Sequence, residues 1–205
     1  MPGMKSLPLP QVLELLGKLD SKYAALAALG VTTGCRISEL LQLRRFDLID
    51  RDGNFKERIS FVQLKTHSDN IRHRQLIVPE DFQEYVKQHL RLDARLGYER
   101  PDDYVFRGKL GKHLCRRSAY RVFREILGPS YGTHWMRKTF AQELYKYFTE
   151  LYPRDGVRAL DLTRQALGHA RLDTTIKYLN LNYQAIDTAQ KSIFQVEKIK
   201  NEVLK

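Results

Sequence analysis

Apolar residues recur along most of the chain at the three-to-four spacing of amphipathic helices. Val12, Leu13, Leu15 and Leu16 follow Pro8 and Pro10 and predict a first helix near 11–19. Tyr23, Leu26, Ala27 and Gly30 predict a second over 21–32, broken by Gly34, and Ile37, Leu40 and Leu41 a short third over 36–43. Phe82, Tyr85, Val86 and Leu90 line a helix from Pro79 to Gly97, with Glu80 and Asp81 placed to complement its dipole. Ala119, Val122, Phe123, Ile126 and Leu127 mark the core face of another, capped by Ser118 and ended by Gly128-Pro129. Three more follow: one from Thr133 to about Phe148, one near 161–167, and one capped by Asp173 that carries Tyr178. Ile186, Ala189, Ile193, Val196, Ile199 and Val203 give residues 186–205 the pattern of an amphipathic tail helix.

Between Phe46 and Pro79 the period changes. Ile59, Phe61 and Val62, then Leu76, Ile77 and Val78, form short apolar runs separated by Asp52-Gly53-Asn54 and by His67-Ser68-Asp69-Asn70. A three-stranded meander at about 46–50, 58–65 and 72–78 is expected. The fold class is therefore mainly α with a small three-stranded antiparallel sheet, an α+β arrangement. With no internal repeat and no Gly/Ser linker, the economical division is one domain over 1–185 plus the tail.

Composition sets the partner. The chain has 205 residues, 35 Lys+Arg against 24 Asp+Glu and a net charge of +11, which points to a polyanion and first to nucleic acid. No apolar run suits a membrane span and no signal-peptide core opens the chain, so a cytoplasmic protein is expected. Two cysteines, Cys35 and Cys115, make neither a disulfide framework nor a four-ligand zinc site. The six histidines lack zinc spacing, and no phosphate-binding glycine loop occurs. No metal ligands are assigned.

What remains is a scattered set of cations around one tyrosine. Gly34-Cys35-Arg36 is followed by Glu39; Lys65 lies between two predicted strands; Thr133-His134 is followed by Arg137 in an H-x-x-R pattern and then by Thr139-Phe140-Ala141. Leu167-Gly168-His169 is followed by Thr174-Thr175 and by Tyr178, nine residues after the histidine. Five such pieces in this order, over about residues 8 to 185, resemble the tyrosine recombinases, the phage integrase family.

The resemblance implies a fold, that of the recombinase catalytic domain, and a reaction: site-specific DNA breakage and rejoining through a 3′-phosphotyrosyl intermediate, with no cofactor, metal or ATP. Arg36 and Arg137 would hold the non-bridging oxygens of the scissile phosphate, because guanidinium stays charged and bonds in a fork. Tyr178 would be the nucleophile, His134 the acid/base group for its phenol, and Lys65 the acid for the departing 5′-oxygen. His169 would donate to a non-bridging oxygen, and Glu39 would orient Arg36. Double-stranded DNA is the implied partner, with a homotetramer assembled through the C-terminal helix and room for accessory recombination proteins.

Residues 107–124 hold seven Lys/Arg and no acid. Lys112, Arg116, Arg117, Arg121 and Arg124 are read as DNA contacts, against the plainer reading of a solvated basic face. Arg72 and Arg74 form a second candidate patch. The tail helix has two readings, packing on its own core or docking into a neighbouring protomer. Two features depart from the family pattern: no separate N-terminal core-binding domain is expected, as in the single-domain fimbrial invertases or an excised catalytic domain, and the Arg137–His169 interval is long. A type IB topoisomerase-like nicking-closing enzyme and a non-catalytic DNA-binding accessory factor are the competing functions.

Overall fold

The computed structural model of the chain describes residues 5–62 and 73–181. Met1–Glu143 and Leu144–Lys205 form two compact units. Helix α2 (Ser21–Thr33) is the centre of the first. It is apolar on almost every side, and Ala24 through Val31 are all buried, as expected of a helix enclosed by others. The Asp20 carboxylate accepts from the Tyr23 N–H at 3.1 Å to cap its start, and Gly34, at φ +60°, closes its end. Helix α1 (Leu9–Lys18) packs on α2 with Val12, Leu15 and Leu16 buried, while Leu13 points outward. The short α3 (Ile37–Leu41) follows directly.

Helix α5 (Glu80–Arg95) packs most extensively against α2. Small residues on α2 allow close approach elsewhere too: a Cβ on Gly30 would lie 2.5 Å from Met136 Sδ at the start of helix α7 (His134–Leu151). The Thr139 hydroxyl of α7 accepts from the Leu7 N–H at 2.9 Å and donates to the Leu7 carbonyl at 3.0 Å, tying down the N-terminal segment. Helix α6 (Arg116–Leu127) buries Ala119 and Phe123, and Trp135 meets Phe123 edge-to-face. Ile126, expected on this core face, is instead exposed.

The sheet differs from expectation. Among the described residues it has two antiparallel strands, β1 (Ile59–Val62) and β2 (His73–Leu76), with Ile59 opposite Leu76 and Phe61 opposite Arg74. The stretch 46–50 is not a strand: Arg45–Leu48 forms a single helical turn, α4. The Asp47 carboxylate takes the Arg44 N–H at 2.7 Å and closes that turn, leaving Ile49 alone to bridge Phe55. Asp50 accepts from the N–H groups of Asp52 and Asn54, which builds the expected turn around Gly53 at φ +85°.

Two polar residues lie on the inner face of α5. His89, 2% exposed, stacks on Phe106 and donates from Nε2 to the Val105 carbonyl at 2.8 Å. Asp93, one turn on, accepts from Arg107 at 3.1 and 3.3 Å, and Arg107 also covers the Tyr98 ring. Together they fasten the 104–107 segment to α5. Burial pushes the His89 imidazole below its usual pKa, against the opposing pull of the Val105 carbonyl and Asp93. The folded state therefore resists protonation that the unfolded chain accepts at about pH 6.5. The stability from neutral His89 is present above that pH and is lost as pH falls from it toward the depressed folded value. Urea titrations of wild type and His89→Gln between pH 7.5 and 5 are expected to differ in slope by up to about 1.4 kcal/mol per pH unit. Parallel curves would show that His89 is not the group responsible.

In the second unit, helix α8 (Gly156–Leu167) packs on α9 (Leu172–Leu179) through buried Ala159, Leu160, Thr163 and Leu167 on one side and Thr175 and Leu179 on the other. Several helix starts shift from expectation. The Asp155 carboxylate caps α8 at the Arg158 N–H, so the helix begins well before Asp161, whose carboxylate instead binds Arg164 and Gln165. Cys115, not Ser118, precedes α6, and Arg171, not Asp173, precedes α9; Ser118 and Asp173 lie inside the first turns. Among the described residues, no helix is long and apolar enough to cross a membrane.

Candidate active site

Gly34 makes the corner on which the first group of site residues is built. Its left-handed φ ends α2, and a Cβ there would lie 2.1 Å from the Phe140 ring, so the position suits only glycine. The turn exposes the Gly34 carbonyl to Arg137, which donates to it from Nη1. Arg137 is 3% exposed, sits one turn into α7, and is thereby fixed to a carbonyl that lies two residues before Arg36 in sequence.

Arg36 begins α3, with extended backbone. The Glu39 carboxylate grips it twice, taking the backbone N–H on Oε2 at 2.7 Å and Nη1 on Oε1 at 3.0 Å. The Glu39 side chain is only 1% exposed, so these hydrogen bonds stand in for the water it has lost. A second guanidinium approaches: Arg74 Nη2 lies 3.9 Å from Glu39 Oε2 and 3.1 Å from Cys35 Sγ. The first unit thus assembles Arg36, Glu39, Arg74 and Arg137 around residues 34–39. His134 is exposed at the first residue of α7, one turn before Arg137.

The second group lies in the second unit. Gly168, at φ +65°, ends α8 and turns the chain into His169. Arg164 holds His169 by its backbone, accepting the His169 N–H at 3.1 Å and donating from Nη1 to the His169 carbonyl at 2.9 Å. The imidazole Nδ1 bonds Thr175 Oγ1 at 3.0 Å, and its ring meets Tyr178 edge-to-face with centroids 5.5 Å apart. Thr175 is fully buried, so it is a fixed support. Sequence reasoning gave it no role. The signal was its six-residue step from His169, with the α9 start between them. Asn180 ends α9 at φ +63°, two residues after Tyr178.

Lys65 and Arg72 lie outside the described residues, as does the whole 186–205 tail. Lys112, Arg116, Arg117, Arg121 and Arg124 are all exposed. Arg107, counted in the same basic run, is a structural partner of Asp93.

A family model described as "Phage integrase family" matches residues 5–185. A probable integrase/recombinase of Methanocaldococcus jannaschii is 25% identical over 193 residues, covering 89% of this chain and 52% of that protein. Tyrosine recombinase XerC of Mannheimia succiniciproducens is 28% identical over 171 residues, covering 81% of this chain and 51% of its own. The chain thus spans about half the length of these curated relatives. Among solved structures, XerH recombinase in a post-cleavage complex with a palindromic difH substrate superposes with a TM-score of 0.64 at 25% identity, over 92% of this chain and 53% of that one. XerA recombinase superposes with a TM-score of 0.66 at 22% identity, over 95% and 67%, and so shares the fold. A left-handed glycine before Arg36, an arginine bound to its carbonyl and a histidine–tyrosine pair across α9 are thus set in a chain matched almost end to end, and the protein belongs to the phage integrase family.

Proposed function

We propose that the protein is a site-specific DNA recombinase that cuts and rejoins double-stranded DNA through a 3′-phosphotyrosyl intermediate. What carries the proposal is the 34–39 corner, where two arginines are both fixed by polar partners. A phosphodiester is anionic and gains charge on its non-bridging oxygens as a nucleophile adds. Fixed guanidinium groups stabilise that gain without reorganising. Arg36 and Arg137 bind those oxygens, and His169 donates to one of them. The Tyr178 phenol attacks phosphorus with His134 as its acid/base group, Lys65 protonates the departing 5′-oxygen, and the phosphotyrosyl bond conserves the energy for rejoining. The XerH neighbour, described in a post-cleavage complex with DNA, supports the same substrate here.

The α6 face supplies holding contacts. Arg116 and Arg117 sit in its first turn with no acid, where the helix dipole disfavours cations. Such a placement costs stability, and an anionic partner offsets it. With Lys112, Arg121 and Arg124 this face meets the DNA backbone. Replacing Arg117 and Arg121 together by Ala is expected to lower the slope of log affinity against log salt by about 2, near 0.9 per lost phosphate contact. An unchanged slope would remove these residues from the interface. A tetramer on DNA joined through residues 186–205, accessory recombination proteins and a cytoplasmic setting complete the proposal.

The test uses nicked duplexes with a randomised centre, incubated with protein without ATP or added metal and resolved on a denaturing gel. A protein-linked strand, enriched over rounds of capture, is the expected result. No covalent species at any round would overturn the proposal.

A further inference from the structure

We infer that Arg74 is a positioning residue for the cleavage reaction, acting through Glu39 to hold the Arg36 guanidinium against the scissile phosphate. The inference rests on the proposed function above.

Its sequence neighbours suggest something else, since Arg72, His73 and Arg74 form a basic run suited to a groove. Strand register decides the matter for Arg74. Residues directly opposite in an antiparallel pair share a face, and Arg74 is opposite Phe61, which is 1% exposed. Ser60 and Gln75 form the adjacent pair and are both exposed. The pleat therefore turns Arg74 inward, and its side chain is only 11% exposed. A groove contact would have to be on the other face.

The inward direction brings Arg74 to the back of the 34–39 corner. Glu39 Oε1 binds Arg36 Nη1, while Oε2 holds the Arg36 N–H and faces Arg74 at 3.9 Å. Cationic groups on both oxygens stop the carboxylate rotating, and a carboxylate that cannot rotate fixes the plane of the guanidinium bound to it. A forked arginine–phosphate contact depends on that plane. Cys35 gives Arg74 a second anchor at 3.1 Å. Burial pushes the Cys35 thiol up to about 11, so its sulfur accepts as a neutral thiol and does not compete with Glu39 as an anion.

The test uses a duplex recovered by covalent capture with the wild-type protein. Single-turnover cleavage at saturating protein is measured on the normal phosphodiester and on a methylphosphonate at the scissile position, which lacks one charged oxygen. Affinity is measured separately in a Tyr178→Phe background. Arg74→Ala is expected to slow cleavage of the phosphodiester about 10²-fold, the range for losing one aligned oxyanion donor, with affinity changed less than about threefold. Arg74→Lys restores part of the rate. On the methylphosphonate the loss shrinks below about tenfold, as it does for Arg36→Ala, and Arg36→Ala/Arg74→Ala is no slower than Arg36→Ala alone, since both act on one contact. Three results would overturn the inference: an unchanged saturating rate, a loss confined to affinity, or an equal loss on both substrates with additive double-variant effects. Should Arg74→Ala fail to fold, Arg74→Lys carries the same comparisons. Failure of the wild type to form an adduct strikes the proposed function itself, whereas a normal wild-type adduct with unaffected Arg74 variants strikes only this role.

Discussion

Arg137→Ala is expected to slow strand cleavage at saturating protein by about 10³-fold or more, the range seen when an arginine that stabilises phosphoryl-transfer charge is removed. Two losses combine. The guanidinium is fixed by the Gly34 carbonyl, so the proposed phosphate contact would need no reorganisation of it when DNA arrives. Its removal also leaves a buried carbonyl without that donor and opens a cavity on α7, which is 3% exposed at this residue. Stability therefore falls as well, by roughly 1–3 kcal/mol on the cost of one unsatisfied buried group. Arg137→Lys separates the effects, because it keeps a charge but not the fork. Single-turnover kinetics with parallel urea denaturation read both. A cleavage rate within tenfold of wild type for folded Arg137→Ala would remove Arg137 from the phosphate.

Tyr178→Phe is expected to abolish covalent capture of DNA while leaving binding within about threefold, since affinity comes chiefly from phosphate contacts elsewhere. The substitution deletes one oxygen and keeps the ring that packs edge-to-face on His169. Folding should change by no more than about 1 kcal/mol, as for other volume-conserving changes. The readouts are the denaturing gel for the adduct and a native titration for affinity. An adduct that survives in Tyr178→Phe would name another nucleophile.

Among the described residues, the helices were legible where apolar spacing ran for three turns. Val12, Leu15 and Leu16 on α1, and Val86 and Leu90 on α5, are buried as their periodicity requires. The failures have local causes. Asp47 bonds its own turn and converts an expected strand into α4. Ser118 and Asp173 carry capping side chains but stand inside their helices, because Cys115 and Arg171 turn the backbone first. Gly34-Cys35-Arg36 and the His169–Tyr178 pair were legible as local groupings, since each lies in one contiguous piece. Arg74 and Arg107 were not. What each does depends on a partner that sequence proximity does not reveal: Phe61 and Glu39 for the one, Asp93 on α5 for the other. A run of basic residues counts charge but says nothing of which face each one takes.

Tyr178 is expected to take the 3′-phosphate of the cut strand, and digesting the captured complex with nuclease and trypsin, then locating the nucleotide by fragmentation mass spectrometry, reads this residue by residue. Cleavage after Lys177 yields a peptide that begins at Tyr178 and also contains Tyr183, so fragmentation must separate the two. The predicted result is a 3′-linked nucleotide on Tyr178, with a 5′-hydroxyl on the other fragment that accepts phosphate without prior dephosphorylation. A nucleotide on Tyr183 or any other residue, or a 5′-linkage, would contradict it.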